Sequence, residues 1–158
     1  MKKKRKSLIF VTCLFLAGAL YNLWTLRKAN IIFIYSDAGS TINIVVDHLP
    51  WTDRDKIEWF LARKEKILEK YPLYDSGMHT FYVMDVGKGF TNYNENPDED
   101  LRCFPTIKNE KNCLIKDYLL IVYEEEYINT QFYIAPWWTF YQLTPEGKIE
   151  RIYREENL

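Results

Sequence analysis

Cys103 and Cys113 stand close together in a polar, proline-containing stretch, LRCFPTIKNEKNC. In an oxidising compartment such a pair closes into a structural disulfide. For so short a loop the chain-entropy gain is about 2.5–3 kcal/mol, less any strain. The competing chemistry is a redox-active dithiol, but catalytic pairs sit as Cys-X-X-Cys beside a helix N-terminus. The spacing here does not match that pattern.

Other catalytic constellations find little support. His48 and His79 belong to no HExxH or Cys/His ligand pattern, so each reads as a surface or strand residue. There is no GxSxG elbow. The segment VGKGF around Lys88 is too short for a phosphate loop and lacks its Ser or Thr, so it reads as a turn. Asn92, Asn94 and Asn96 have the spacing of a calcium loop, but Pro97 and Cys103 stand where that loop needs Gly and Glu. Asp98, Glu99 and Asp100 then read as a solvated charge run, the alternative being a weak cation site or a docking surface for a basic partner. Glu124, Glu125 and Glu126 read as a solvated strand rim. A hydrolase would have to work with carboxylates alone, such as Asp85 and a partner that the sequence does not identify. No metal or cofactor is implied.

The residues with most scope for recognition are aromatic. Trp137, Trp138, Phe140 and Tyr141 follow Pro136. Adjacent strand residues point to opposite faces. Trp137 and Trp138 therefore cannot both be core unless the sheet is covered on both sides, and one of them is a candidate anchor for a partner. The alternative is packing against the helix or a membrane-proximal surface.

These residues must be placed by a chain of 158 residues, a length that suits one domain. At 47% hydrophobic and 27% charged, its composition excludes a disordered tail, a collagen-like repeat and a polytopic membrane protein. The net charge of -1 hides an asymmetry. Residues 1–28 hold seven of the 21 basic side chains and no acid, so residues 29–158 carry 14 bases against 22 acids. That acidic balance disfavours nucleic acid as a partner and attracts basic partners over distance.

The first segment predicts the location. Residues 1–6 form a basic cytoplasmic tail. Residues 7–28 then contain the uncharged run Leu8–Leu26, ~28 Å long as a helix. That is just enough for a hydrocarbon core about 30 Å thick, with Tyr21 and Trp24 near the far interface. The denser positive flank, Lys2–Lys6, stays in the cytoplasm. Residues 29–158 are then a periplasmic domain on a single-pass inner-membrane anchor. Cleavage after Ala17-Gly18-Ala19 is the rival reading, and it exports the same domain. Cys13 reads as a small apolar residue within the span.

The expected fold class of the exported part is α+β, a mainly antiparallel sheet with one packed helix. Ile31–Asp37 and Thr41–His48 read as a hairpin turned by Asp37 and Gly39. Thr52 caps a helix that Pro72 stops, with Asp53 and Asp55 in its first turn. Its core stripe is Ile57, Phe60, Leu61, Ile67, Leu68 and Tyr71, with Lys64 snorkelling from within it. His79–Val86 reads as a strand and residues 91–101 as a loop. Asp117–Glu126, Thr130–Ala135, Trp137–Leu143 and Lys148–Arg154 read as a meander. Its last turn is Thr144–Gly147, and its final strand lies at a sheet edge.

The Lys-rich start and single span, then PWTDRDKIEWFLARKEKILEKY, then LRCF and KNC, resemble an enterobacterial family of small membrane proteins, domain-of-unknown-function family 943. The sharpest matches are Thr52-Asp53, Lys56-Ile57, Trp59, Lys70-Tyr71, Arg102-Cys103-Phe104 and Cys113. The C-terminal meander matches only in general character. The resemblance implies an envelope protein anchored in the inner membrane and carries no activity with it. The leading expectation is a non-enzymatic, tethered protein whose periplasmic domain binds another envelope protein, as an immunity protein occludes a toxin. The alternative is an accessory or structural subunit of a membrane complex.

Overall fold

The structure is a computed structural model, and it describes residues 2–25, 27–74 and 77–153. Helix α1 (Lys2–Thr25) is followed by β1 (Ile31–Ser36), β2 (Thr41–Val46), α2 (Asp53–Lys70) and β3 (Met78–Asp85). Two short strands, β4 (Leu101–Cys103) and β5 (Cys113–Ile115), precede β6 (Tyr118–Glu125), β7 (Ile128–Ile134), β8 (Thr139–Leu143) and β9 (Ile149–Ile152). Seven strands form one sheet in the order β1-β2-β3-β6-β7-β8-β9, and β4 and β5 form a separate pair. The α+β class with a mainly antiparallel sheet is as expected, and β9 lies at one edge of it, with β1 at the other.

The hairpin and the helix form for the anticipated reasons. Asp37 Oδ1 accepts from the backbone N–H groups of Gly39 (2.8 Å) and Thr41 (2.9 Å), closing the β1–β2 turn. The left-handed residue of that turn is Ala38, at φ 60°, and not Gly39. Thr52 Oγ1 accepts from the Asp55 N–H at 3.1 Å, and Tyr71 ends α2 just before Pro72. Ile57, Phe60 and Ile67 are buried as expected, and Trp59 joins them.

One strand pair departs from the antiparallel pattern. β2 and β3 run parallel, Thr41 opposite Thr80 and Val46 opposite Asp85, because α2 is the crossover between them. Every residue of β2 from Ile42 to Val46 is buried, since both sheet faces are covered there. Ile42, Ile44 and Val46 pack with Ile57, Phe60 and Phe81 beneath α2. Val45 packs with Met84, Phe104 and Leu114 on the opposite face. The excursion between β3 and β6, residues 86–117, supplies that second cover. Residues 91–101 and the stretch after them are thus not a plain connector, since Leu101 and Cys113 start paired strands.

Helix α1 begins at Lys2, so its backbone takes in the basic residues Lys2–Lys6. Two further expectations change. Strand β8 begins at Thr139, so Trp137 and Trp138 lie in the β7–β8 turn beside a cis Ala135–Pro136 bond, and strand alternation does not govern them. Lys64 does not simply reach to water: its Nζ pairs with the Glu124 carboxylate, both side chains being mostly buried, so Glu124 is no solvated rim residue.

Among the described residues no helix is long and apolar enough to cross a membrane, so the structure does not establish the expected single span.

Candidate functional site

The sheet register brings several segments to one end. Ile31 lies opposite Val46, Val46 opposite Asp85, Met84 opposite Tyr118, Leu120 opposite Ile134, and Ile134 opposite Thr139. The C-terminus of α1, the N-terminus of α2 and the β7–β8 turn all join the sheet at this end.

A groove of about 550 Å³ opens there. Its apolar lining includes Leu49, Leu119 and Pro136, with Trp51 and Trp137 on it, and its polar groups are His48, Asp53, Lys56 and Asp85. Trp137 is 88% exposed, Trp51 66% and Trp138 43%. Trp51 also meets α1, its ring edge-on to Tyr21 with centroids 6.3 Å apart. Asp53 is already engaged, pairing with Lys56 Nζ at 3.5 Å and accepting from the Tyr141 hydroxyl at 3.2 Å. Burial, and then the Asp53 charge, push the Tyr141 phenol up from its ordinary pKa, so it stays a donor.

A polar hub lies beside the groove. Asp47 accepts from the Asn30 N–H (2.9 Å) and the Asn30 side-chain amide (3.0 Å), pairs with Arg27 at 3.2 Å and contacts His48 Nδ1 at 2.6 Å. Burial works to raise its pKa, but the Asn30 and His48 hydrogen bonds outweigh this and hold the carboxyl well below the usual range. His48 is therefore an orienting partner within this hub, its Nε2 lying 3.1 Å from the Arg27 carbonyl.

The second concave surface is a cleft of about 450 Å³ under the excursion. Asp85, Lys88, Phe90, Glu95, Lys111 and Asp117 are among its lining residues. Gly87 and Gly89 adopt φ of 51° and 96°, a backbone that L side chains rarely take, which is why this turn is glycine-rich. Glu95 pairs with Lys111 at 2.8 Å, and the Lys111 hydrogen bond holds the Glu95 carboxyl below its ordinary pKa. The expected Cys103–Cys113 disulfide is present and joins directly opposed residues of β4 and β5. Cys113 exchanges both its backbone hydrogen bonds with Thr91 (2.8 and 3.0 Å). It therefore faces Cys103 as a non-hydrogen-bonded pair, the arrangement that brings cross-strand side chains closest.

The asparagine run has local duties. Asn92 Oδ1 accepts from the Glu95 N–H at 2.9 Å, and Asn96 Nδ2 donates to Thr91 Oγ1 at 2.6 Å. Among the described residues no group of three or more His, Cys, Asp or Glu is arranged to hold a metal ion.

The candidate residues do not converge on one site. Trp137 lines the groove, with Trp138 next to it. Asp98, Glu99 and Asp100 are exposed on the excursion and line neither the groove nor the cleft. Asp100 pairs with Lys116 at 2.6 Å. Asp85 alone lines both concavities. The reading of the sequence missed Trp51 and the Glu95–Lys111 pair. Trp51 did leave a signal: it precedes the N-cap Thr52, yet the fourth helical residue is Lys56, so no hydrophobic staple can bury it.

No curated protein and no solved structure matches this chain. A family model, "Enterobacterial putative membrane protein (DUF943)", matches residues 2–153, nearly the whole length. The chain belongs to this enterobacterial membrane protein family.

Proposed function

We propose that this protein is a non-catalytic binding module of the bacterial envelope, anchored in the inner membrane by α1 with its N-terminus cytoplasmic and its sheet domain periplasmic. Ile9, Phe10, Phe15, Leu16 and Leu20 are all exposed around α1, and a helix apolar on every side suits a lipid environment better than water. The basic residues Lys2–Lys6 favour retention of that end in the cytoplasm. The Cys103–Cys113 disulfide suits an oxidising compartment.

The observation that carries the binding role is the ordering of residues 86–117. A long excursion costs conformational entropy to fix. Here it has its own core around Phe104, a disulfide and two ion pairs, so a shaped cleft with an acidic neighbour stands ready before any partner arrives. Glu95 remains a carboxylate held by Lys111, which suits recognition better than proton donation. The partner is another envelope protein with a basic contact surface, and an incoming toxin neutralised by occlusion is one such partner.

Site-specific photo-crosslinking in intact cells tests this. A photoreactive residue at Glu99 or Lys111 should capture one discrete protein, while the same residue at Tyr127, exposed at the opposite end of the sheet, should not. Equal capture at all three positions, or none at Glu99 and Lys111, overturns the binding role.

A further inference from the structure

We propose that Trp51, Trp137 and Trp138 seat the α1-proximal end of the sheet on the phospholipid bilayer, with their rings in the headgroup layer. The inference rests on the reading of α1 as the membrane anchor, and it adds a second attachment that the anchor alone does not require.

Three observations converge on it. The connector between α1 and β1 is residues 26–30, which reaches at most ~17 Å when extended. The domain therefore cannot leave the surface into which α1 inserts. Trp51 touches Tyr21, which lies in the last turns of α1, so the residues before α2 stand level with the end of the apolar helix. The register then places the β7–β8 turn at this same end and directs its most exposed ring, Trp137, outward beside Trp51.

The chemistry fits a bilayer surface. Tryptophan combines a large apolar ring with one N–H donor, and its preferred place in membranes is the boundary between headgroups and acyl chains. In water, three such rings at one end of a small acidic domain would be an exposed apolar patch without a role. Lys28 is exposed next to α1 and Arg27 is half-exposed while paired with Asp47, which places positive charge at the level of lipid phosphates. The opposite end of the sheet carries Glu125, Glu126 and Tyr127, exposed and acidic, and suits solvent. Docking by the tryptophans fixes the tilt of the domain, so that the cleft under residues 86–117 meets partners from a constant direction.

Tryptophan fluorescence of the full chain in phosphatidylcholine–phosphatidylglycerol vesicles tests the proposal. The phosphatidylcholine carries bromines either near the headgroup end or near the tip of the acyl chain. Trp59 is buried against the core and stays in every variant as an unquenched baseline. Phenylalanine replaces all but one of Trp24, Trp51, Trp137 and Trp138 in each variant. The Trp51 and Trp137 variants should show a blue shift and loss of emission with shallow bromines and little loss with deep ones. If Trp24 is quenched while Trp51, Trp137 and Trp138 stay at the Trp59 baseline, the anchor stands and docking is overturned. If Trp24 too stays at baseline, the anchor reading falls and takes this inference with it. A photoreactive residue replacing Trp137 in cells gives a second readout. Lipid adducts support docking, and a protein adduct without lipid overturns it.

Discussion

Asp47 clasps Asn30 twice, taking the backbone N–H at 2.9 Å and the side-chain amide at 3.0 Å, and so ties the residue that ends β2's exit to the one that leads into β1. The same carboxylate holds Arg27 at 3.2 Å, so a single side chain joins the segment that follows α1 to the sheet.

Replacing it should loosen that junction. A hydrogen bond to a charged group contributes roughly 1.5–3 kcal/mol, and removing one partner leaves the other unsatisfied. We expect Asp47→Ala to destabilise the domain by about 2 kcal/mol in urea titrations. The sign with pH follows from the lowered folded pKa. The contribution is complete above the unfolded value of about 4 and declines as pH falls from there towards the folded value. The wild type should therefore lose stability in acid more steeply than the variant, and parallel pH profiles would refute the assignment.

The disulfide should matter most to the excursion. Replacing Cys103 and Cys113 together by serine should cost about 2–3 kcal/mol by the loop-entropy estimate. Hydrogen exchange should accelerate first in residues 86–117, leaving β2 and β3 protected. Uniform acceleration across the sheet would show that the bridge supports the whole domain instead. Cells should yield both later thiols blocked by oxidation, whereas free thiols in freshly trapped protein would argue against export.

Phe104 is fully buried and packs edge-on to Phe33, with ring centroids 5.2 Å apart. Truncating a buried Phe to Ala costs about 3–5 kcal/mol through lost burial and an unfilled cavity. Phe104→Ala should therefore detach the excursion from the sheet, and crosslinking from Glu99 should disappear with it. A stable variant with unchanged crosslinking would separate the binding surface from this core.

Lys64 and Glu124 bridge α2 to β6 with both groups largely shielded from water. Removing one leaves the other charge stranded, so Glu124→Leu or Lys64→Met alone should destabilise by about 3 kcal/mol. The double replacement should recover much of that loss, because two apolar side chains no longer need pairing. A double-mutant cycle by chemical denaturation gives the coupling, and additive effects would refute the pairing.

Exchanging α1 for a cleavable signal peptide separates the two expectations for function. A binding module acting through the cleft should retain partner crosslinking at Glu99 after the exchange, only with less of it held at the membrane. An accessory subunit that uses the helix itself should lose crosslinking altogether.

Residue types and their spacing were enough to mark the elements and the staple. Thr52, Pro72 and the apolar stripe bounded α2, alternation and β-branched residues marked the strands, and two cysteines in one short polar stretch named each other as partners. These are local signals, carried by neighbours in the chain. What those elements meet follows from the closed fold. The crossover through α2 made β2 and β3 parallel and buried both faces of β2, which no pattern within β2 could announce. Lys64 and Glu124 lie far apart in sequence, and each read as solvated until α2 was laid across β6. Trp51 and Trp137 came to one groove through the register of the whole sheet. Backbone hydrogen bonding and capping act over a few residues, whereas burial and pairing depend on surfaces that exist only once the chain has closed on itself.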